Sequence, residues 1–166
     1  MASGLALCPG SYDPITNGHV DIILRTADVF EKVVVLVSQN SSKNPLFTFD
    51  ERMEMCVKVF SDYDNIEVMK CGELIVDIYK NMGASAIVKG VRDAADCQYE
   101  MELARINEAM GENINTLLMP SKSDMIFLSS NVVREFGKYK ADISKIVPEC
   151  ILTYIKAKFE TGTNYN

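Results

Sequence analysis

The 166-residue chain has no C-x-x-C pair, only one histidine and no excess of positive charge. Its five cysteines, Cys8, Cys56, Cys71, Cys97 and Cys150, are odd in number and far apart. That spacing points to reduced thiols in a cytoplasmic protein rather than to disulfides or a zinc site. With 17 Lys and Arg against 23 Asp and Glu, the formal charge is −6. A general nucleic-acid binder would instead carry a basic face, whereas a small phosphorylated ligand needs only a few local cations and helix ends. No apolar run approaches the roughly 18 residues needed to span a bilayer. Met1-Ala2-Ser3-Gly4 lacks the basic and apolar regions of a secretory signal. The G-x-G-x-x-G fingerprint is missing after the first apolar run, which removes the usual signal for NAD or FAD.

What remains is 48% hydrophobic and free of linkers, repeats and low-complexity segments. The reading is one domain over residues 1–160 and a frayed polar tail over 161–166. Short β-branched or apolar runs at 5–7, 32–38, 66–69, 86–88 and 115–119 read as strands. The run Lys32-Val33-Val34-Val35-Leu36-Val37-Ser38 has no polar alternation, as expected of a strand buried on both faces. Helices are expected between them. One covers 20–27. A second is capped by Thr48 or Asp50 and shows Met53, Cys56, Val57 and Phe60 at helical spacing. A third, over 73–82, is stopped by Gly83. A fourth covers about 94–110, with Met101, Leu103, Ile106 and Met110 facing the core. The last two open near Ser129 and at Pro148. Five alternations of strand and helix predict a Rossmann-like, doubly wound α/β sheet of five parallel strands with helices on both faces. Ligands in such sheets bind beyond the carboxyl ends of the strands.

The segments after each strand therefore matter most. After the first comes Cys8-Pro9-Gly10-Ser11-Tyr12-Asp13-Pro14-Ile15-Thr16-Asn17-Gly18-His19, a turn running into a helix start. Free backbone N–H groups and the helix dipole make such a place suited to phosphate. Gly10 lets the backbone approach a ligand, Ser11 offers a hydroxyl, and the sole histidine, His19, stands in the first helical turn. Taken singly, Pro-Gly with Asp-Pro is an ordinary turn, and a lone histidine is an ordinary residue; together they form a restrictive pattern. The later strands are followed by Ser42-Lys43, by Gly72-Glu73-Leu74-Ile75, by Lys89-Gly90-Val91-Arg92, and by Ser121-Lys122 with Ser129-Ser130. On one edge of a parallel sheet these supply the cations, hydroxyls and helix N-termini that a polyphosphate requires.

Thr16-Asn17-Gly18-His19 resembles the [HT]-x-G-H hallmark of the nucleotidyltransferase superfamily. The fuller string from Pro9 to His19 resembles the bacterial-type phosphopantetheine adenylyltransferases. The likeness continues through Pro45-Leu46-Phe47-Thr48 with Glu51-Arg52, and Lys89-Gly90-Val91-Arg92 with Asp96 and Tyr99-Glu100-Met101. It ends with Leu118-Met119-Pro120-Ser121 and Phe127-Leu128-Ser129-Ser130. The resemblance implies catalytic roles for His19 and Lys43 and a phosphopantetheine site of Ser11, Lys43, Ile75 and Lys89. It implies an ATP site of Gly10, Ser11, His19, Gly90, Val91, Arg92, Glu100, Met125, Ile126, Phe127, Leu128, Ser129, Ser130 and Asn131. It also implies Mg²⁺ accompanying the nucleotide, coenzyme A or its dephospho form as product or inhibitor, and a homohexamer. Three positions depart from the family: Ser11 replaces a usual threonine, Lys89 a common arginine, and Asn131 a third serine. Lys89 keeps the charge and loses the bidentate fork.

The reaction so implied is transfer of AMP from ATP to 4′-phosphopantetheine, releasing pyrophosphate. Its rivals are transfer to nicotinamide mononucleotide, a CTP-dependent cytidylyltransferase, a non-catalytic nucleotide-binding module and a flavodoxin-like electron carrier.

Overall fold

The computed structural model describes residues 2–39 and 45–161. Lys43, most of the polar loop before Pro45 and the tail beyond Thr161 lie outside the described residues. The chain runs β1 (Ala2–Gly10), α1 (Asn17–Ala27), β2 (Phe30–Ser38), α2 (Phe49–Val59), β3 (Ile66–Cys71), α3 (Ile75–Asn81), β4 (Ala86–Val91), α4 (Ala94–Met110), β5 (Thr116–Pro120), α5 (Ser130–Lys138) and α6 (Glu149–Thr161). All pairings are parallel, in the order β3-β2-β1-β4-β5. This is the Rossmann-like α/β sheet expected from the alternation.

Strand β2 explains its own composition. Val33, Val34, Val35, Leu36 and Val37 are all fully buried, because successive side chains enter opposite apolar layers. Val33, Val35 and Val37 join Ala6, Cys8, Ala86 and Val88 in one layer, which also holds Ile22 and Ile23 of α1, Met55 and Cys56 of α2, and Ile151 and Ile155 of α6. Val34 and Leu36 join Leu7 and Ile87 in the other, against Val76, Ile78 and Tyr79 of α3.

Several local expectations hold at their signals. Thr48, not Asp50, caps α2, and its partner Glu51 closes a capping box. Gly83 ends the third helical segment with φ +61°, a left-handed conformation that suits a residue without Cβ. That helix begins at Ile75 rather than 73, and Thr161 belongs to α6 rather than to a tail.

One expectation holds in part and one fails. In α2, Cys56 and the following Phe60 are buried and Met53 packs against the core, but Arg52 and Met55 are buried with them and Val57 is 50% exposed. The helix is rotated from the purely apolar stripe because a cation is among the residues it turns inward. The apolar positions of α4 do not face the core. No residue of this helix is buried; Met101, Ile106 and Met110 are exposed and Leu103 is half-buried. Helix α4 touches the sheet beside its edge strand β5, where there is little sheet left to cover it.

Candidate active site

The tetrapeptide at the start of α1 has a physical reading residue by residue. Thr16 is the N-cap, its hydroxyl accepting from the His19 N–H at 3.4 Å. In return His19 takes the place a glutamate fills in a capping box: the Thr16 N–H donates to His19 Nδ1 at 3.0 Å. Asn17 pins the helix start to the segment before α6, donating to the Lys145 and Val147 carbonyls at 3.1 and 3.3 Å. At Gly18 a Cβ would lie 3.3 Å from the Leu128 carbonyl oxygen, so the absent side chain lets α1 approach the segment leading to α5. The bond from Thr16 fixes the histidine tautomer. A backbone N–H can only donate, so Nδ1 must accept and the ring proton sits on Nε2. Burial, then the charges of Arg92 and Lys89, lower the His19 pKa to about 4. At neutral pH the ring is an uncharged donor.

Residues from distant parts of the chain converge here around a cavity of about 270 Å³. Ser11 and Asp13 come from the turn after β1, Gly18 and His19 from the first turn of α1, Gly90 and Arg92 from the end of β4, and Asp96 and Glu100 from α4. Leu128, Ser129, Ser130, Asn131 and Arg134 come from the start of α5, and Pro45 and Arg52 from α2 and its approach. The cavity opens beyond the carboxyl ends of β1 and β4. There the strand order reverses, the place where open α/β sheets bind ligands. Ser129 caps α5 by accepting from the Val132 N–H at 3.3 Å, and the Ser130 hydroxyl donates to the Pro14 carbonyl at 2.8 Å. The start of α5 is thus tied to the turn after β1, with its N–H groups toward the same space.

The chain belongs to the cytidylyltransferase-like family. The family pattern matches residues 7–136, from within β1 to α5, and that span contains every residue that lines the cavity. The family lies within the nucleotidyltransferase superfamily, so the chain is a nucleotidyltransferase in fold and in general activity. No helix among the described residues is long and apolar enough to cross a membrane.

Of the residues singled out in the sequence, Ser11, His19, Gly90, Arg92, Glu100, Leu128, Ser129, Ser130 and Asn131 line this cavity. Gly10 and Lys89 line an adjoining pocket with Ser11, His19 and Glu100. Lys89 pairs with Glu100 at 3.2 Å, and Arg92 grips Asp96 through Nε at 2.7 Å and Nη2 at 3.0 Å. Val91 ends β4 and its carbonyl accepts from the Ser121 N–H at 2.9 Å. Ile75 packs against the apolar layer under α3 and is not among the lining residues. Met125 and Phe127 face a separate groove alongside Val20 and Leu24, and Ile126 is exposed. Lys43 lies outside the described residues.

Among the lining residues that had been given no role, Asp13, Arg134 and Arg52 tie the site together. Asp13, 5% exposed, receives the Leu46 and Phe47 N–H groups at 3.0 and 2.9 Å and the Arg134 guanidinium at 3.2 Å. Arg134 also donates to Asn131 Oδ1 at 2.6 Å, so the residue replacing the third serine is held by its own helix. Arg52 donates from Nη1 to the Ser11 carbonyl at 2.6 Å and the Ser38 carbonyl at 2.8 Å. The available signal for Arg52 was a charged residue placed three and four positions before Met55 and Cys56 on one helix face.

Proposed function

We propose that this nucleotidyltransferase moves AMP from ATP to the phosphate of 4′-phosphopantetheine, releasing dephospho-coenzyme A and pyrophosphate. The observation that carries the reading is the convergence of Ser11, a neutral His19 donor, Arg92 and the Ser129-Ser130 helix start on one cavity. The acceptor phosphate, with a second pKa of about 6, is mostly a dianion at neutral pH. It needs no general base, and the only histidine is not set up as one: it keeps its proton on Nε2 and takes up another only near pH 4.

The chemistry then rests on alignment and on stabilising charge at the α-phosphate as the bond to the acceptor forms and the bond to pyrophosphate breaks. His19 Nε2–H donates to that phosphate, and Lys43 is proposed beside it. Arg92 and the N-terminus of α5 hold the departing pyrophosphate, with Gly90, Val91, Glu100 and the segment from Met125 to Asn131 around the nucleotide. Ser11, Ile75 and Lys89 are proposed for the phosphopantetheine side. The described residues offer no trio of carboxylate, histidine or thiol ligands for a protein-held ion. Magnesium is proposed as the counter-ion the triphosphate brings with it.

The exposed apolar stripe of α4 supports the proposed self-association into a hexamer, in a cytoplasmic setting that suits five unpaired thiols. Pyrophosphate release tests the reaction. ATP with 4′-phosphopantetheine is expected to give sustained release. Release only with CTP and a phosphorylated alcohol, or only with nicotinamide mononucleotide, would overturn the substrate assignment and keep the family. ATP binding without release for any acceptor would make the chain a binding module.

A further inference from the structure

Nearly every ionised side chain lining the cavity touches its opposite charge. Asp13 meets Arg134, Arg92 meets Asp96, and Glu100 meets Lys89. Arg52 is the exception among the described residues. It is 3% exposed, yet its described hydrogen bonds go only to the carbonyls of Ser11 and Ser38. Its Nε is buried and finds no partner. The Phe49 ring, 5.3 Å from the guanidinium carbon, attracts the charge without neutralising it. Every Asp and Glu of the chain falls within the described residues, so no acidic side chain remains to pair with it.

This arrangement is unfavourable in an empty protein. A guanidinium keeps its proton at any ordinary pH, so Arg52 cannot escape burial by becoming neutral as a lysine could. Buried charges persist where something compensates them. Arg52 lines the cavity next to Ser11 and Pro45. Asp13, a carboxylate lining the same cavity, already has both oxygens engaged by Leu46, Phe47 and Arg134.

We propose that Arg52 is a binding residue for a phosphoryl group of the ligand, which supplies the missing negative charge when the cavity fills. The inference rests on the nucleotidyl-transfer reading for where that phosphoryl group comes from, the nucleotide's polyphosphate or the acceptor's phosphate. Binding of the anion itself does not depend on turnover.

The test measures binding of inorganic pyrophosphate, ATP and 4′-phosphopantetheine to the full chain by calorimetry, for wild type, Arg52→Gln and Arg52→Lys. Arg52→Gln is expected to lose at least about tenfold in affinity for one or more of them. Loss confined to 4′-phosphopantetheine assigns the acceptor's phosphate; loss with pyrophosphate and ATP assigns the polyphosphate. Arg52→Lys, which keeps the charge, is expected to recover part of the loss. In wild type the same anion is expected to shift the Arg52 Nε–H resonance, assigned by its disappearance in Arg52→Lys. A folded Arg52→Gln that binds all three as wild type does overturns the proposal. Should Arg52→Gln fail to fold, a resonance unmoved by saturating anion overturns it instead. A shift without pyrophosphate release from any acceptor sinks the proposed reaction and leaves Arg52 standing; release without a shift does the reverse.

Discussion

Desolvation first, and then the nearby charges of Arg92 and Lys89, hold the His19 imidazole neutral until about pH 4. Being the only histidine, it gives a single set of imidazole resonances, expected to titrate near 4 rather than near 6.5. A polyphosphate brings opposite charge, so adding ATP should move that midpoint upward. The stability consequence has a definite sign. Below about pH 6.5 the unfolded chain takes up the proton first, so this group's contribution falls as pH drops toward 4 and then levels off. For turnover, His19→Ala is expected to lose at least about a hundredfold, the usual cost of one donor at the reacting centre. Near-normal single-turnover rates with folding intact would remove His19 from the chemistry. Asp13→Asn keeps the shape but loses a charge that Arg134 and two backbone N–H groups share. Urea denaturation should show it less stable by about 1–3 kcal/mol.

At the scale of elements, α1 shows why a cap and a catalytic group can share one motif. The first turn of a helix leaves N–H groups unpaired, and Thr16 and His19 satisfy two of them while aiming Nε2 outward. Thr16→Val removes the hydroxyl and leaves the backbone N–H that fixes the tautomer. It is expected to cost about 1 kcal/mol of stability and to slow turnover far less than His19→Ala. Parallel denaturation and rate measurements on the two variants separate capping from chemistry. Helix α2 shows the opposite relation between pattern and outcome. Its apolar residues alone favour a face through Met53, Cys56, Val57 and Phe60, but two carbonyls at the ends of neighbouring strands need a donor. Arg52 therefore turns inward and Val57 outward.

For the whole molecule, the order β3-β2-β1-β4-β5 sets β1 and β4 side by side. Gly10-Ser11 and Gly90-Val91-Arg92, eighty residues apart, end next to each other for that reason. The same order leaves β5 at an edge and α4 with an unburied stripe of Tyr99, Ile106 and Met110, the last two each 53% exposed. If that stripe is an interface between copies, light scattering will report a particle well above the 18.5 kDa of one chain. Ile106→Glu should then reduce its mass without unfolding the subunit. A wild-type mass of one chain would remove the hexamer from the proposal.

Local signals in the sequence determined the alternation of strands and helices, the cap at Ser129, the start of α2 to within Thr48 or Asp50, the stop at Gly83, and the turn that presents Ser11 and His19. Each of these depends on residues a few positions apart, so a linear reading contains the needed physics. Tertiary structure alone decided that Arg52 is buried, that Asp13 bridges the turn, α2's approach and α5, and that α4 exposes its apolar side. Those outcomes depend on which carbonyls, charges and sheet edges meet across long stretches of chain. Hydrophobic periodicity has no record of such meetings until the strand order is fixed.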